Sequence, residues 1–167
     1  WIVESTGQKS KYVITGIAGR KEFSAININK DMMNVEIGFG RKVLQAFEEN
    51  DISFEHMPSG IDTMTLFVEE KAFAPKEQLV ISAIHKLAEP DSIEIESGIA
   101  LIAVVGRGMK SVRGTAGRIF AALAHARINV RMIDQGSSEL NIIIGVDNDD
   151  FELAIKAIYD IFVEVQL

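Results

Sequence analysis

The 167-residue sequence is long enough for one large domain or for two small ones, and its 47% apolar and 25% charged residues are typical of a globular protein. The net charge of −7 argues against nucleic acid or anionic membrane as a partner, since both are bound through clustered Lys and Arg. The absence of cysteine excludes disulfides, thiolate catalysis and cysteine-ligated metal sites.

Apolar periodicity alternates between strand and helix along the first half of the chain. Alternating apolar and polar residues indicate half-buried strands, whereas apolar residues three and four apart indicate helices. The predicted elements are, in chain order, strands over 11–17 and 23–29, a helix from Phe39 to about Asn50, strands over 52–57 and 63–68, a helix opened by Pro75 and a strand containing Ile93 and Ile95. Apart from the strand over 11–17, this order is β-α-β-β-α-β.

The second half of the chain repeats the first at a spacing of 76 residues. Its predicted elements are a strand over 99–105, a helix over 115–126, strands over 129–134 and 140–146 and a helix over 149–162. Residues that match across the repeat are Gly38 and Gly114, Ile52 and Ile128, and Gly60 and Gly136. An internal repeat of this kind predicts two copies of one structural unit.

The second copy lacks a final strand, because the partner of Ile93 would lie beyond Leu167. The unassigned strand over 11–17 can supply that missing edge. We therefore predict that a first domain, 20–97, is inserted into a discontinuous second domain, 11–19 plus 98–167.

The element order predicts an α+β fold made of two ferredoxin-like βαββαβ domains. In each, two helices cover one face of a four-stranded antiparallel sheet. The stretches 101–105 and 142–146 are apolar at nearly every position, which indicates burial on both faces. We therefore expect the sheets to pair between domains or between chains.

No catalytic or metal-binding pattern is visible in the sequence. His56, His85 and His125 share no metal-ligand spacing, and we expect structural or surface roles for them. The glycine-rich segments 38–40 and 106–114 complete neither of the phosphate-binding patterns. We therefore predict no catalytic residue and no metal ligand in this chain.

The glycine-rich segments do lead from a strand into a helix, where free N–H groups and the helix dipole favour a carboxylate. Acidic residues entering the next strands could hold an ammonium group, so the whole would form a pocket for an α-amino acid. The predicted pocket residues are Met33, Asn34, Glu36, Gly38, Phe39, Gly40, Glu55, Ser59, Gly60 and Asp62. The loop of the second copy provides a second site or an interface, with Met109, Lys110, Ser111, Gly114, Thr115, Asp134 and Gln135. The alternative is that the glycines only make tight turns and that the acids are solvated.

The segment 104–150, VVGRGMKSVRGTAGRIFAALAHARINVRMIDQGSSELNIIIGVDNDD, resembles the regulatory C-terminal half of aspartate kinases. In that family a GRGMK-x-x-x-G segment leads into the helix of the second ACT domain and is followed by an IN-x-x-MI-x-QG-x-S strand pair. ITGIAG over 14–19 resembles the family's entry from its kinase domain. Two departures stand out: DMMNVEIGFG lacks the Ser common before the glycine, and Glu55 stands where Asp is usual.

The resemblance implies feedback inhibition by lysine, and in some members threonine, at sites between paired ACT domains. It implies a cytoplasmic homodimer paired through the ACT sheets, and a kinase domain that is attached in the parent enzyme and absent from this chain. ATP and magnesium would belong to that kinase domain, so this chain alone should not phosphorylate aspartate. Residues 1–10 would then be a remnant of the linker.

Three alternatives come from other classes of protein. An RNA-recognition domain has the same element order, but it displays several aromatics on its third strand, and 62–68 holds one. A stand-alone catalytic domain would need a clustered nucleophile, acid or metal site. An effector-insensitive dimerisation module would differ from the sensor only by an empty cleft.

Overall fold

A computed structural model describes residues 14–106, 109, 112–136 and 141–163. The chain divides into two compact units. The inner unit is Lys21–Ile99, and the outer unit consists of the chain up to Arg20 and from Ala100 onward.

The secondary structure comprises five strands and five α-helices within the described residues. They are β1 Gly16–Asn29, α1 Phe39–Glu48, β2 Thr63–Glu69, α2 Glu70–Phe73, α3 Glu77–Ala88, β3 Ser92–Val105, α4 Thr115–His125, β4 Met132–Asp134, β5 Asn141–Asp147 and α5 Phe151–Val163. Short 3-10 helices occupy Met33–Val35, Ala74–Lys76 and Asn148–Asp150. The strand order is β2-β1-β3-β5-β4. No described helix combines the length and apolarity that a bilayer crossing requires.

The inner unit has a core between its helices and one face of its strands. The second half of β1 pairs antiparallel with β2, from Phe23 opposite Glu69 to Asn29 opposite Thr63. From α1, Val43 and Phe47 are fully buried in this core, and α1 packs against α3. Each such side chain contributes about 1.5–3 kcal/mol on burial, so this face fixes α1 against the sheet.

The outer unit repeats this arrangement with α4 and α5. Ile119 and Leu123 of α4 are buried with Ile158 of α5 against the strand face that carries Ile102 and Ile144. β4 pairs antiparallel with β5. The first part of the chain joins this unit at the backbone, where Thr15 N donates to Val105 O at 2.8 Å across 90 residues.

The 76-residue repeat recurs in the backbone geometry. The caps of α1 and α4, Gly38 and Gly114, have φ of 82° and 83°. Beyond the two helices, Ile52 N donates to Phe47 O at 3.0 Å and Ile128 N donates to Leu123 O at 2.9 Å. Matched hydrogen bonds at matched positions show that the two copies are one structural unit used twice. The predicted α+β class and ferredoxin-like order are confirmed.

One predicted strand is wrong, and three other predicted elements differ in their bounds. The segment 52–57 is no regular strand, since it contributes one isolated bridge, His56 with Phe67, and a second bridge follows at Ser59 with Met64. The strands over 23–29 and 99–105 are parts of the longer strands β1 and β3, which each run from one unit into the other. The helix expected from Pro75 is preceded by α2 and a 3-10 turn.

The long strands escaped prediction because each contains one residue at positive φ. Glu22 in β1 has φ 65° and Gly98 in β3 has φ 73°. Such a residue interrupts the alternation of side chains between the two faces, so the periodicity ends there although the strand continues. The predicted strand over 11–17 lies mostly outside the described residues, and β1 begins at Gly16.

Candidate functional site

The connection from β1 to α1 forms a tight loop over 30–38. Met32 adopts a left-handed conformation, a 3-10 turn spans Met33–Val35, and Gly38 caps α1 at φ 82° without a side-chain hydrogen bond. A Cβ at Gly38 would meet nothing within 4 Å, so the backbone angle alone requires glycine. The N-terminus of α1 therefore lacks a capping side chain and keeps its positive dipole end.

The loop is held against the turn that enters β2. Asp62 Oδ1 accepts a hydrogen bond from Met32 N at 3.0 Å, and Asp62 O accepts one from Lys30 N at 2.9 Å. Asn34 N donates to Ile61 O at 3.2 Å. On the other side, Asp91 Oδ2 accepts from the loop's Asp31 N at 2.6 Å. Two aspartates thus fix the loop backbone from two different elements.

Glu36 is bound by two lysines. Lys42 Nζ lies 2.9 Å from Glu36 Oε1, and Lys30 Nζ lies 3.8 Å from Glu36 Oε2. Lys30 Nζ also donates to Glu89 O at 2.8 Å, beyond the end of α3. The hydrogen bond from Lys42 lowers the pKa of Glu36, and the charges of both lysines act in the same direction. The loop therefore carries an ionised carboxylate, balanced by two lysines, beside the start of α1.

Several predicted pocket residues come together around this loop. The side chains of Met33 and Phe39 are buried in the core, so these two residues can offer a ligand only their backbone. Asn34 is exposed, and Gly40 lies in the first turn of α1. Asp62 contacts the loop directly through Met32 N.

The predicted residues on the segment before β2 are spread along that strand. Gly60 N donates to Thr63 O at 2.7 Å and Ser59 pairs with Met64, which places both next to Asp62. Glu55 N donates instead to Phe67 O at 2.8 Å. Thr63 and Phe67 are four positions apart along the strand, about 13 Å. The expectation that Glu55 and Asp62 share one end of the sheet is therefore wrong.

The described residues of the equivalent outer junction repeat two features of the inner one. Met109 is buried like Met33, and Met109 N donates to Gly106 O at 3.1 Å, as Met33 N does to Lys30 O at 3.1 Å. Thr115 is buried, and its Oγ1 donates to Val112 O at 3.0 Å.

The remaining predicted residues of the outer junction are less informative. Asp134 is half-buried in β4 and Gln135 is exposed just beyond it. Lys110 and Ser111 lie outside the described residues.

Sequence reasoning missed Lys30, Lys42 and Asp91. Lys42 could have been found, because a basic residue in the first turn of a helix disfavours its own dipole and calls for an acidic partner nearby. Lys30 and Asp91 carried no such signal, since only the fold brings the ends of β1 and α3 together. No group of three His, Asp or Glu side chains in the described part of the chain could hold a metal ion.

Comparisons with known proteins show the family of this fold. Residues 102–162 match the family model of the ACT domain. The regulatory subunit of aspartate kinase from Thermus thermophilus has the same fold, with a TM-score of 0.74 at 22% identity over 88% of this chain and 97% of that one. The fold and the family match together define an ACT-domain protein.

Two relatives of higher sequence identity point to one group of ACT-domain proteins. Aspartokinase 3 of Bacillus subtilis is 41% identical over 150 residues, which are 89% of this chain and 33% of the relative. The aspartate kinase of Clostridium acetobutylicum is 48% identical with a TM-score of 0.90, over 94% of this chain and 36% of that one. The resemblance to the ACT regulatory region of aspartate kinases is thus confirmed, and the chain spans about a third of the length of these relatives.

Proposed function

We propose that this chain is the regulatory part of an aspartate kinase, that it binds lysine or threonine, and that binding inhibits an attached kinase domain. The observation that carries the proposal is the loop over 30–38, where the glycine-capped start of α1 is held beside Asp62. The Clostridium acetobutylicum relative is described as an allosteric enzyme, which supports regulation in this chain as well.

The chemistry of an amino acid fits this loop. Its α-carboxylate would lie at the N-terminus of α1, where the dipole and the lysine side chains favour negative charge. Its ammonium group would face Asp62 and the carbonyl groups of the turn before β2. Lysine is the first ligand to test, since aspartokinase III of Escherichia coli, a neighbour in fold at 20% identity, has been solved in complex with lysine and aspartate.

Regulation requires the ligand to bind two arrangements of the parent enzyme with different affinity. A coupling free energy of about 1–3 kcal/mol is typical of such systems. In our proposal the inserted domain, 20–97, senses the ligand, and the discontinuous domain, 11–19 plus 98–167, transmits the change through its first strand to the kinase domain. ATP and magnesium act only in that kinase domain.

The proposal includes a cytoplasmic homodimer. Leu101 and Ile143 are only 7% and 8% exposed in the single chain, so the apolar sheet face gives less support for a dimer than the sequence indicated. The support comes instead from apolar side chains that are exposed on and beside the loop, namely Met32, Val35, Ile37 and Ile61. A patch of this kind marks an interaction surface. Sedimentation equilibrium of wild type and Ile37→Ser would measure the expected dimer and its weakening.

Isothermal titration with lysine and then threonine tests the sensing role. We expect saturable binding of one of them, and weaker binding to Asp62→Asn because that variant loses the charge that faces the ammonium group. Asp149→Asn, an equal loss of charge on the outer unit, is the matched control and should bind like wild type. If neither amino acid binds at millimolar concentration, the chain is an effector-insensitive dimerisation module instead.

The structure of β2 argues against the RNA-binding alternative. The strand contains one aromatic residue, Phe67, and this side chain is 3% exposed. A buried ring cannot stack on a base, and the net charge of −7 opposes phosphate.

A further inference from the structure

We propose that Glu36 is an internal occupant of the carboxylate subsite, which holds Lys30 and Lys42 until the carboxylate of an amino acid displaces it. The inference rests on the proposed function, because it concerns the same loop. It assigns to Glu36 a role opposite to that of a ligand-binding acid: Glu36 competes with the ligand.

The geometry shows one carboxylate contacted by two lysine ammonium groups. Lys42 Nζ and Lys30 Nζ approach different oxygens of the Glu36 carboxylate, at 2.9 and 3.8 Å. A free amino acid carries the same functional group. Two ammonium groups and the positive end of α1 would therefore receive its α-carboxylate in the same way.

Glu36 is placed so that its side chain can leave while its backbone stays. The Glu36 side chain is 32% exposed and that of Lys42 is 34% exposed, so neither is enclosed. The carbonyl of Glu36 accepts a hydrogen bond from Phe39 N at 3.3 Å, which fixes the backbone next to the helix start. Rotation of the side chain into solvent would release Lys42 without unfolding the loop, and Lys30 would keep its hydrogen bond to Glu89 O.

A ligand ammonium group is a poor partner for Glu36. Two lysines already neutralise this carboxylate and lower its pKa, so a third cation would meet two like charges at short range. A carboxylate that replaces Glu36 meets the same two lysines without that repulsion. Glu36 thus sets how much ligand is needed to fill the site.

The outer unit carries different residues at the positions equivalent to Lys30, Glu36 and Lys42. The residues 76 positions after Lys30 and Glu36 are Gly106 and Val112, which carry no charge. The residue equivalent to Lys42 is Arg118, and its guanidinium lies 5.3 Å from the ring centre of Phe162 instead. The proposal therefore applies to the inner unit alone.

Calorimetric titration of Glu36→Gln with L-lysine and with L-lysine methyl ester tests the proposal. The variant keeps the shape of the side chain and removes its charge. We expect it to bind lysine roughly twofold to fivefold more tightly than wild type, the range that a partly exposed ion pair allows. Lys42→Met should bind lysine more weakly, and the methyl ester, which lacks a carboxylate, should gain nothing from Glu36→Gln.

Glu48→Gln is the matched control, since Glu48 is an exposed acid on α1 with the same charge. Lysine affinity that falls in Glu36→Gln, or that rises equally in Glu48→Gln, would overturn the proposal. Circular dichroism melts of each variant show whether it is folded.

Acetate separates this proposal from the sensing function. Acetate binding is followed by NMR through the amide resonances of Gly38 and Phe39. These resonances should shift in Glu36→Gln at roughly twofold to fivefold lower acetate concentration than in wild type, even if lysine and threonine bind neither protein. That outcome would overturn lysine and threonine sensing but support the carboxylate subsite. Equal acetate responses in the two proteins would overturn the subsite.

Discussion

The described residues of the two strand-to-helix junctions match at two points, and the junctions differ in other side chains. Both bury a methionine, Met33 or Met109, and both cap the next helix with a glycine near φ 82°. The inner junction adds an ion-paired glutamate, whereas the outer junction has Val112 at the equivalent position. The repeat therefore reproduces the glycine cap and the buried methionine, and the two junctions differ at the position of Glu36.

The largest expected effect comes from the shared core. Phe47 and Leu123 occupy equivalent positions and are 1% and 0% exposed. Phe47→Ala should lower the free energy of unfolding by about 3–5 kcal/mol and Leu123→Ala by about 2–5 kcal/mol, because each leaves a cavity. Guanidinium titration followed by circular dichroism measures both. A loss below about 1 kcal/mol at either site would show that the two cores are not equivalent.

The next effect concerns the two capping glycines. Gly38→Ala and Gly114→Ala should each lower the free energy of unfolding by about 1–2 kcal/mol, because a side chain is strained at positive φ even where space is open. Equal costs would sharpen the comparison, since the backbone is the shared feature. Gly117→Ala, inside α4, is the control of opposite sign, because it should raise the free energy of unfolding by about 0.5–1 kcal/mol. Thermal melts of the three variants give the order.

A smaller effect is expected at Arg118, the outer-unit equivalent of Lys42. Arg118 Nη2 donates to Ile161 O at 3.4 Å and stacks over Phe162, so Arg118→Met should cost about 0.5–1 kcal/mol of outer-unit stability. Arg41→Met, which loses only a bond to Gln45 on the same helix, should cost less. Urea unfolding compares them, and equal losses would argue against the role of Phe162.

The smallest effect is the pH dependence of Glu36. Its folded-state pKa is lowered from 4.5 by Lys42, so its stabilising contribution is present above pH 4.5 and is lost as pH falls through the lower folded value. The stability difference between wild type and Glu36→Gln should therefore shrink with acidification and with added salt. Melts over a pH series check this. A difference that grows toward acid pH would contradict the ion pair.

The sequence predicted the fold well because periodicity reports local burial. The helices at Phe39 and Thr115 and the strand at Thr63 came directly from apolar spacing and glycine positions. The segment 52–57 failed because its alternation indicated a strand, whereas its backbone makes only isolated bridges to β2.

The candidate site was predicted in part. The loop itself was identified from glycine and helix-dipole chemistry, and Asp62 lies against it. The lysine partners of Glu36 were missed, because the ends of β1, α1 and α3 meet only in the folded unit. The predicted position of Glu55 along β2 was also wrong, since pairing register cannot be read from one strand alone.

The hydrogen bond from Thr15 to Val105 has a consequence for biosynthesis. Ninety residues separate donor and acceptor, so the early segment leaves the ribosome long before its partner strand exists. At translation rates of about 5–20 residues per second, the wait is roughly 5 to 18 s. The inner unit can complete its own core within that interval, whereas the outer unit can close only after it. Nascent-chain folding should therefore proceed from the middle of the sequence outward.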